Sequence, residues 1–331
     1  MPVKVAINGL GRIGRCVARI VADRDDVELV AANASGSEEM IQYGLKYDTV
    51  HGNRQDIEVK DGFICIGREK AKLLNQRDPA KLDFAALGAD VVLECTGAFL
   101  TQESVQAYLD NGIKKVVFSA PAKDDTATFV MGVNEDTYAG QAVVSNASCT
   151  TNGLAPVAKV LDDMFGIEKG LMTTIHSYTG SQPILDAKHK KDPRKARAGA
   201  TNLVPTTTGA AKAIAKVMPQ LAGKMNGQAI RVPTPNVSMV DLTVTLDKNT
   251  TLEEVQNAFV DASKGSMKGI LGVDTEGRVS SDFNGEEQST VVPLDTIQVI
   301  GDNMVKVLSW YDNEWGYSCR LVDMGVHVAT K

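Results

Sequence analysis

Val3-Lys4-Val5-Ala6-Ile7-Asn8-Gly9-Leu10-Gly11-Arg12-Ile13-Gly14 reads as a strand that turns sharply into a helix, with glycines at 9, 11 and 14. In that context each glycine has a reason. Gly9 permits the tight turn, Gly11 lets backbone approach a pyrophosphate, and Gly14 lets the helix pack close to the strand. The anion then rests on the N–H groups that open the helix. A plain glycine-rich turn is the alternative; the position at the first strand–helix junction argues against it. Downstream, Ile13, Val17, Ile20 and Val21 share one face of a helix spanning Arg12 to Ala22.

The same fingerprint expects an acid about 20 residues on, at the end of the second strand, to hold ribose hydroxyls. That strand, Val27 to Ala32, runs into Asn33-Ala34-Ser35-Gly36-Ser37. Glu28 comes too early and Glu38 lies past the turn, so the acid is missing. Further strands at Val91–Cys95 and Lys115–Ser119 flank a helix around Glu103–Leu109. Strand–helix alternation of this kind predicts a doubly wound parallel sheet of the Rossmann type.

After Cys149 the pattern changes. Gly170–His176, Met239–Leu246 and Met304–Trp310 are longer alternating runs, which predict a mixed or antiparallel sheet with helices on one face. Thr251-Leu252-Glu253-Glu254 is a capping box opening a helix to Lys264. The expected fold is therefore α/β plus α+β. Residues 1–148 form a dinucleotide-binding domain, 149–312 a catalytic domain, and a C-terminal helix over 313–331 packs back on the first. The polar stretch from His176 to Pro205 has little periodicity, which suggests a functional or interface loop.

Composition narrows the function. The chain has 331 residues, 43% hydrophobic and 23% charged, with a net charge of −6. That is room for two cores. No large basic surface is implied, so nucleic acid is not expected as a primary partner. Lys188-His189-Lys190-Lys191 and Arg194-Lys195-Ala196-Arg197 form a local basic island, either a solvated loop or an anion site. The five cysteines, Cys16, Cys65, Cys95, Cys149 and Cys319, match no zinc spacing, so no metal is expected. Their odd number suits a reducing, cytoplasmic compartment. Neither a secretory segment nor a membrane-spanning run is read.

Cys149 is the strongest chemical signal. It follows a short strand, Ala142–Ser145, and precedes apolar residues at helical spacing, with Ser148 as a plausible N-cap. A thiol in the first turn of a helix is expected to have a lowered pKa. The alternative is a small buried core residue. His176, at the end of a strand, is the candidate base. His51 reads as structural, and His189 and His327 as surface residues. Thr206-Thr207-Thr208-Gly209 precedes an alanine-rich helix, Ala210–Val217, and Arg231 follows Ala229-Ile230. Hydroxyls, free N–H groups and a guanidinium together suit phosphate.

These stretches resemble the glyceraldehyde-3-phosphate dehydrogenase family over nearly the whole chain. The resemblance rests on residues 6–14, Leu45-Lys46-Tyr47-Asp48-Thr49-Val50-His51-Gly52, Ser145 through Asn152, 205–213, 231–238 and Trp310 through Ser318. It implies that the Cys149 thiolate attacks the aldehyde of glyceraldehyde 3-phosphate. His176 takes the proton while hydride leaves for NAD or NADP, and inorganic phosphate cleaves the resulting thioester. It further implies that Thr179, Lys195 and Arg231 hold the substrate phosphate. Ser148, Thr150, Thr208 and Gly209 would hold the attacking phosphate. Arg12, Ile13, Arg77, Ser119 and Asn313 would touch the cofactor with the glycines. A homotetramer is implied, with Lys188 in a loop near a neighbour's adenosine ribose. The chain departs from the family pattern at Gly153, where a second cysteine is usual, and at Ser181, Lys188, Lys195 and Ala34. With no acid at 34, Ser35, Gly36 and Ser37 offer hydroxyls and N–H groups to a 2′-phosphate, so NADP is expected to be accepted and preferred. Two other readings are an erythrose-4-phosphate dehydrogenase, whose relatives usually lack the His176-Ser177-Tyr178-Thr179 run, and a non-catalytic binding protein on the same scaffold.

Overall fold

The computed structural model describes residues 1–189 and 192–331; Lys190 and Lys191 of the basic island lie outside the described residues. The chain divides into two compact units, one of residues 1–148 with 318–331, the other of 149–317.

The first unit is built on β1 (Val3–Asn8), α1 (Arg12–Ala22), β2 (Val27–Asn33) and α2 (Glu38–Lys46). Next come β3 (Ile57–Lys60), β4 (Phe63–Ile66), β5 (Glu69–Leu74) and β6 (Val91–Glu94). α3 (Gln102–Asp110), β7 (Lys115–Phe118) and β8 (Val143–Ser145) follow. Its sheet runs β3-β4-β5-β2-β1-β6-β7-β8. From β5 to β8 all pairs are parallel. The chain moves outward from β1 to β2 on one side and to β6 on the other. That reversal is where open α/β sheets bind ligands, beyond the carboxyl ends of the strands. The antiparallel β3-β4-β5 segment was not anticipated; its strands are only four to six residues long, too short for a clear period.

α1 buries Val17, Ile20 and Val21 as its spacing predicts, but it also buries Arg19. That guanidinium is satisfied by backbone: Nε and Nη2 donate to the Leu45 carbonyl at 3.0 and 2.6 Å, and Nη1 to His51 and Gly52 carbonyls. Arg19 therefore fixes the turn carrying Asp48 against α1.

The second unit contains α4 (Cys149–Phe165), β9 (Ile167–Ser177), β10 (Val204–Thr207), α5 (Ala210–Val217) and β11 (Met225–Val232). β12 (Ser238–Leu246), α6 (Leu252–Lys264), β13 (Leu271–Asp274), β14 (Thr290–Pro293), β15 (Gln298–Ile300) and β16 (Met304–Tyr311) complete it. The order is β10-β11-β9-β12-β16-β14-β13, with β15 beside β16. The sheet is mixed: β11 pairs parallel to β9, and β13 to β14, while the remaining pairs are antiparallel. β12 alternates buried and half-buried residues along its whole length, the mark of a sheet covered on one face. α6 opens with the predicted capping box between Thr251 and Glu254.

α7 (Trp315–Thr330) closes the chain. His327 on this helix is not a free surface residue. Its Nε2 bonds the Glu135 carbonyl at 3.0 Å and its ring meets Tyr138 edge-on.

Candidate active site

In the first unit, the predicted cofactor residues gather along the carboxyl ends of the parallel strands. Gly9 has φ +99°, which an L side chain rarely adopts. A Cβ at Gly14 would overlap the Gly9 carbonyl oxygen, whereas one at Gly11 would meet nothing within 4 Å. So position 14 needs glycine for packing, while position 11 leaves open space above the backbone. Gly11 caps α1 without a side-chain hydrogen bond. This arrangement fits a dinucleotide pyrophosphate: free N–H groups facing an uncluttered approach.

Half-buried Ile13 is the second residue of α1, and Arg12 is clamped by Asp48. Burial works to raise the Asp48 carboxyl, but the Arg12 guanidinium and the His51 and Val50 N–H groups outweigh it and hold it at about 2. Ala34 follows β2 and is nearly buried, its N–H donating to Leu74. Ser35 and Gly36 are exposed, with Gly36 at φ +122°. Ser37 is less available than the sequence suggested: its hydroxyl accepts from Met40 N–H and caps α2. Arg77 is exposed just beyond Gln76, whose backbone is held by the Asn33 side chain through bonds of 2.8 and 2.9 Å. Ser119 follows β7, its N–H on the Glu94 carbonyl.

The second unit holds the thiol. The chain enters α4 through Ala147, at φ +58°, and the helix begins at Cys149, so Ser148 stands at the N-cap position. Sγ of Cys149 lies 3.6 Å from Nε2 of His176 near the end of β9. Nδ1 of His176 and Nη1 of Arg231 share the Ser177 carbonyl, at 2.7 and 3.0 Å. The carbonyl calls for a proton on Nδ1, whereas Nη1 of Arg231, 2.6 Å from the same nitrogen, only donates and calls for a lone pair there, so these contacts assign no tautomer. Burial and then Arg231 push His176 down to about 4, which keeps the imidazole neutral. The expected lowering of the Cys149 pKa is not what the surroundings give. Burial pushes the thiol up; Arg231, the Thr150 hydroxyl and the first-turn N–H groups pull the other way without outweighing it. The helix start is present, but the half-buried setting of the thiol outweighs it.

The end of β9 is held from several sides. Ser177 N–H donates to the Ser238 hydroxyl, which donates to Oδ1 of Asn313 at 2.7 Å. The Ser177 hydroxyl donates to the carbonyl of Val237, a β-branched residue at φ +62°. Strain of that kind concentrates at functional positions. Tyr311, which the sequence reading left without a role, bridges the Thr150 and Thr174 hydroxyls at 2.9 and 2.8 Å. Gly153 is where the Tyr311 ring seats: a Cβ there would lie 3.0 Å from Cγ.

Among the proposed phosphate ligands, Thr179 contacts Ser181 at 3.1 Å, and the Thr208 hydroxyl accepts from Ala210 N–H below an uncapped Gly209. Lys195 sits in a short 3-10 turn, Pro193–Ala196. Lys188 is exposed. The loop bearing both folds on itself through Ala187–Ala196 and Gly199–Pro183 backbone bonds and an Asp186–Arg197 pair.

Two family models match this chain. One, described as the NAD binding domain of glyceraldehyde 3-phosphate dehydrogenase, matches residues 3–102; the other, its C-terminal domain, matches 148–313. The chain is 51% identical to the glyceraldehyde-3-phosphate dehydrogenase of Priestia megaterium, covering 100% of this chain and 99% of the relative. It is 50% identical to that of Shimwellia blattae and 49% identical to glyceraldehyde-3-phosphate dehydrogenase A of Escherichia coli K12, each over 99% of this chain and 100% of the relative.

Proposed function

The chain belongs to the glyceraldehyde-3-phosphate dehydrogenase family, and from that premise we propose the roles of its residues. It is an oxidoreductase of glycolysis that acts on glyceraldehyde 3-phosphate and uses a nicotinamide dinucleotide.

Cys149 is the nucleophile. Neutral His176 takes the thiol proton through Nε2, the thiolate adds to the aldehyde carbon, and the imidazolium returns that proton to the new oxyanion to give a hemithioacetal hydroxyl. His176 then takes the hydroxyl proton of the adduct as the carbon–hydrogen bond breaks. The bound nicotinamide supplies the hydride acceptor. Inorganic phosphate attacks the thioester and releases an acyl phosphate. The observation that carries this reading is the 3.6 Å approach of Sγ of Cys149 to Nε2 of His176. Arg231, Thr179 and Lys195 are assigned to the substrate phosphate; Ser148, Thr150, Thr208 and Gly209 to the attacking phosphate. Lysine at 195 keeps the charge but presents no guanidinium fork.

For the cofactor, NADP is accepted and preferred. Ala34 in place of an acid supports this, together with exposed Ser35, Arg77 and Lys188. Asn313, oriented by Ser238, contacts the cofactor. The assembly is a homotetramer. Leu171 and Met304 are 68% and 45% exposed on the sheet of the second unit, and Ile184, Leu185 and Leu203 stand out from the long loop. The compartment is the cytoplasm, in keeping with five cysteines that form no disulfide. Among the described residues, no helix is long and apolar enough to cross a membrane. Initial rates with glyceraldehyde 3-phosphate, inorganic phosphate and each nicotinamide cofactor test the reading. A chain with no rate under any of these conditions would overturn it.

A further inference from the structure

Glu94 ends β6 with no exposure to solvent, beside the glycine turn and in no role assigned above. Asn33, Asn8 and Glu94 are register neighbours at the carboxyl ends of β2, β1 and β6. Their side chains join in one row. Asn33 Nδ2 donates to Asn8 Oδ1 at 2.7 Å, and Asn8 Nδ2 donates to Glu94 Oε2 at 2.6 Å. The other carboxyl oxygen accepts from the Thr96 N–H at 2.9 Å and from the Thr96 hydroxyl. Tyr108 on α3 adds a hydroxyl contact to Oε2 at 3.3 Å and accepts from Asn8 at 2.8 Å. The row also reaches the loop carrying Arg77, through the paired bonds of Asn33 to the Gln76 backbone.

The row has a direction. A primary amide donates from one end and accepts at the other, and a carboxylate only accepts. Glu94 therefore turns the Asn8 amide nitrogen toward itself. Asn8 then presents oxygen to Asn33, which presents its own oxygen to the Gln76 N–H. The backbone above depends on this row. Thr96 abuts Gly9 so closely that a Cβ on Gly9 would lie 3.0 Å from the Thr96 nitrogen, and Ser119 N–H bonds the Glu94 carbonyl.

We propose that Glu94 is a positioning residue for the dinucleotide: as the fixed acceptor of this row, it sets the Asn8 and Asn33 amides, and through them the spacing of the glycine turn, the Ala34 loop and the Arg77 loop. Burial of so polar a row is costly unless each member is satisfied, so a single reversed amide is felt along its length.

The test is NAD affinity by calorimetric titration, with saturating kcat and cofactor-free alkylation of Cys149 as controls. Glu94→Gln keeps the shape but offers Asn8 a donor. The dissociation constant for NAD is expected to rise about tenfold, the loss of one good hydrogen bond, while kcat and alkylation stay within about twofold, the span of a few tenths of a kcal/mol. Asn33→Asp alone faces the Asn8 oxygen with another acceptor and should also weaken binding. The double variant moves the obligate acceptor from one end of the row to the other. The row can then reverse, so the double variant should bind NAD more tightly, and melt higher, than either single variant. Additive losses in the double variant, or NAD binding by folded Glu94→Gln within about twofold of the parent, would overturn the proposal. If Glu94→Gln does not fold, comparing Asn33→Asp with the double variant decides the same point. A parent chain that binds neither NAD nor NADP would instead overturn the cofactor assignment.

Discussion

The Tyr311 ring lies on the backbone of Gly153, one turn along α4 from Cys149, with its hydroxyl held between Thr150 and Thr174. The ring is fixed at its far end and buried, so it has little freedom to retreat from a new side chain. Gly153→Ala sets two effects against each other. Replacing a helical glycine gains about 1 kcal/mol, while forcing atoms into a filled core costs about 1–3 kcal/mol. The contact distance favours the cost. The variant is expected to lose stability, read as a lower denaturation midpoint; an increase would contradict the fixed position of the ring.

The same glycine bears on oxidation. The cysteines of this chain form no disulfide, and none stands one turn after Cys149. Peroxide is expected to inactivate through Cys149 without joining it to another cysteine of the chain. Peptide mapping that found such a bridge would refute this.

Cys149→Ala should abolish turnover while leaving the fold intact. Cys149 is half-buried and its removal leaves only a small void. Turnover near the parent level in purified variant would end the assignment of the nucleophile.

His176→Asn should lower turnover by about 10²–10⁴, the range for a lost general base. It should also change the response of stability to acid. His176 is held at about 4, below the ordinary value of 6.5. As pH falls from 6.5 toward 4, the unfolded chain takes up a proton that the folded chain refuses, and stability drops. The drop is on the order of 3 kcal/mol, complete below about pH 4. His176→Asn should lack this component. Equal acid sensitivity in urea titrations of both proteins would show that His176 is not the group responsible.

Ala34→Asp should shift preference toward NAD by weakening NADP. Two unit charges about 4 Å apart repel by about 4 kcal/mol at an effective dielectric of about 20. With the Ser37 hydroxyl engaged at the start of α2, the proposed recognition of a 2′-phosphate falls to Ser35, Arg77 and Lys188. A parent enzyme without measurable NADP activity at millimolar cofactor would contradict this reading of the loop.

The sequence made the first strand and helix legible to the residue, because a glycine fingerprint marks the boundary that periodicity alone leaves vague. The α6 start was equally clear, since a capping box is local chemistry. Cys149 and His176 could be paired only as residue types; their 3.6 Å separation is a product of how α4 meets β9. The short β3–β5 strands and buried Arg19 were not legible, the former for lack of length, the latter because its partners are carbonyls from distant residues. Tyr311 and Glu94 escaped for the same reason: their significance lies in donors and acceptors brought from other elements. The net direction of the Cys149 shift also escaped, since burial cannot be read from a helix start.

Because β11 runs parallel to β9 with Arg231 opposite His176, base and guanidinium descend from two separate strand segments whose lengths are tied to each other. Strand side chains alternate in direction, so inserting or deleting one residue within either strand would turn one of the two to the wrong face. Substitutions elsewhere along these strands can accumulate gradually, whereas a change in residue count before either position has no harmless intermediate. The two segments are therefore expected to diverge among descendants of this chain in composition but not in length, with insertions confined to the loops between them.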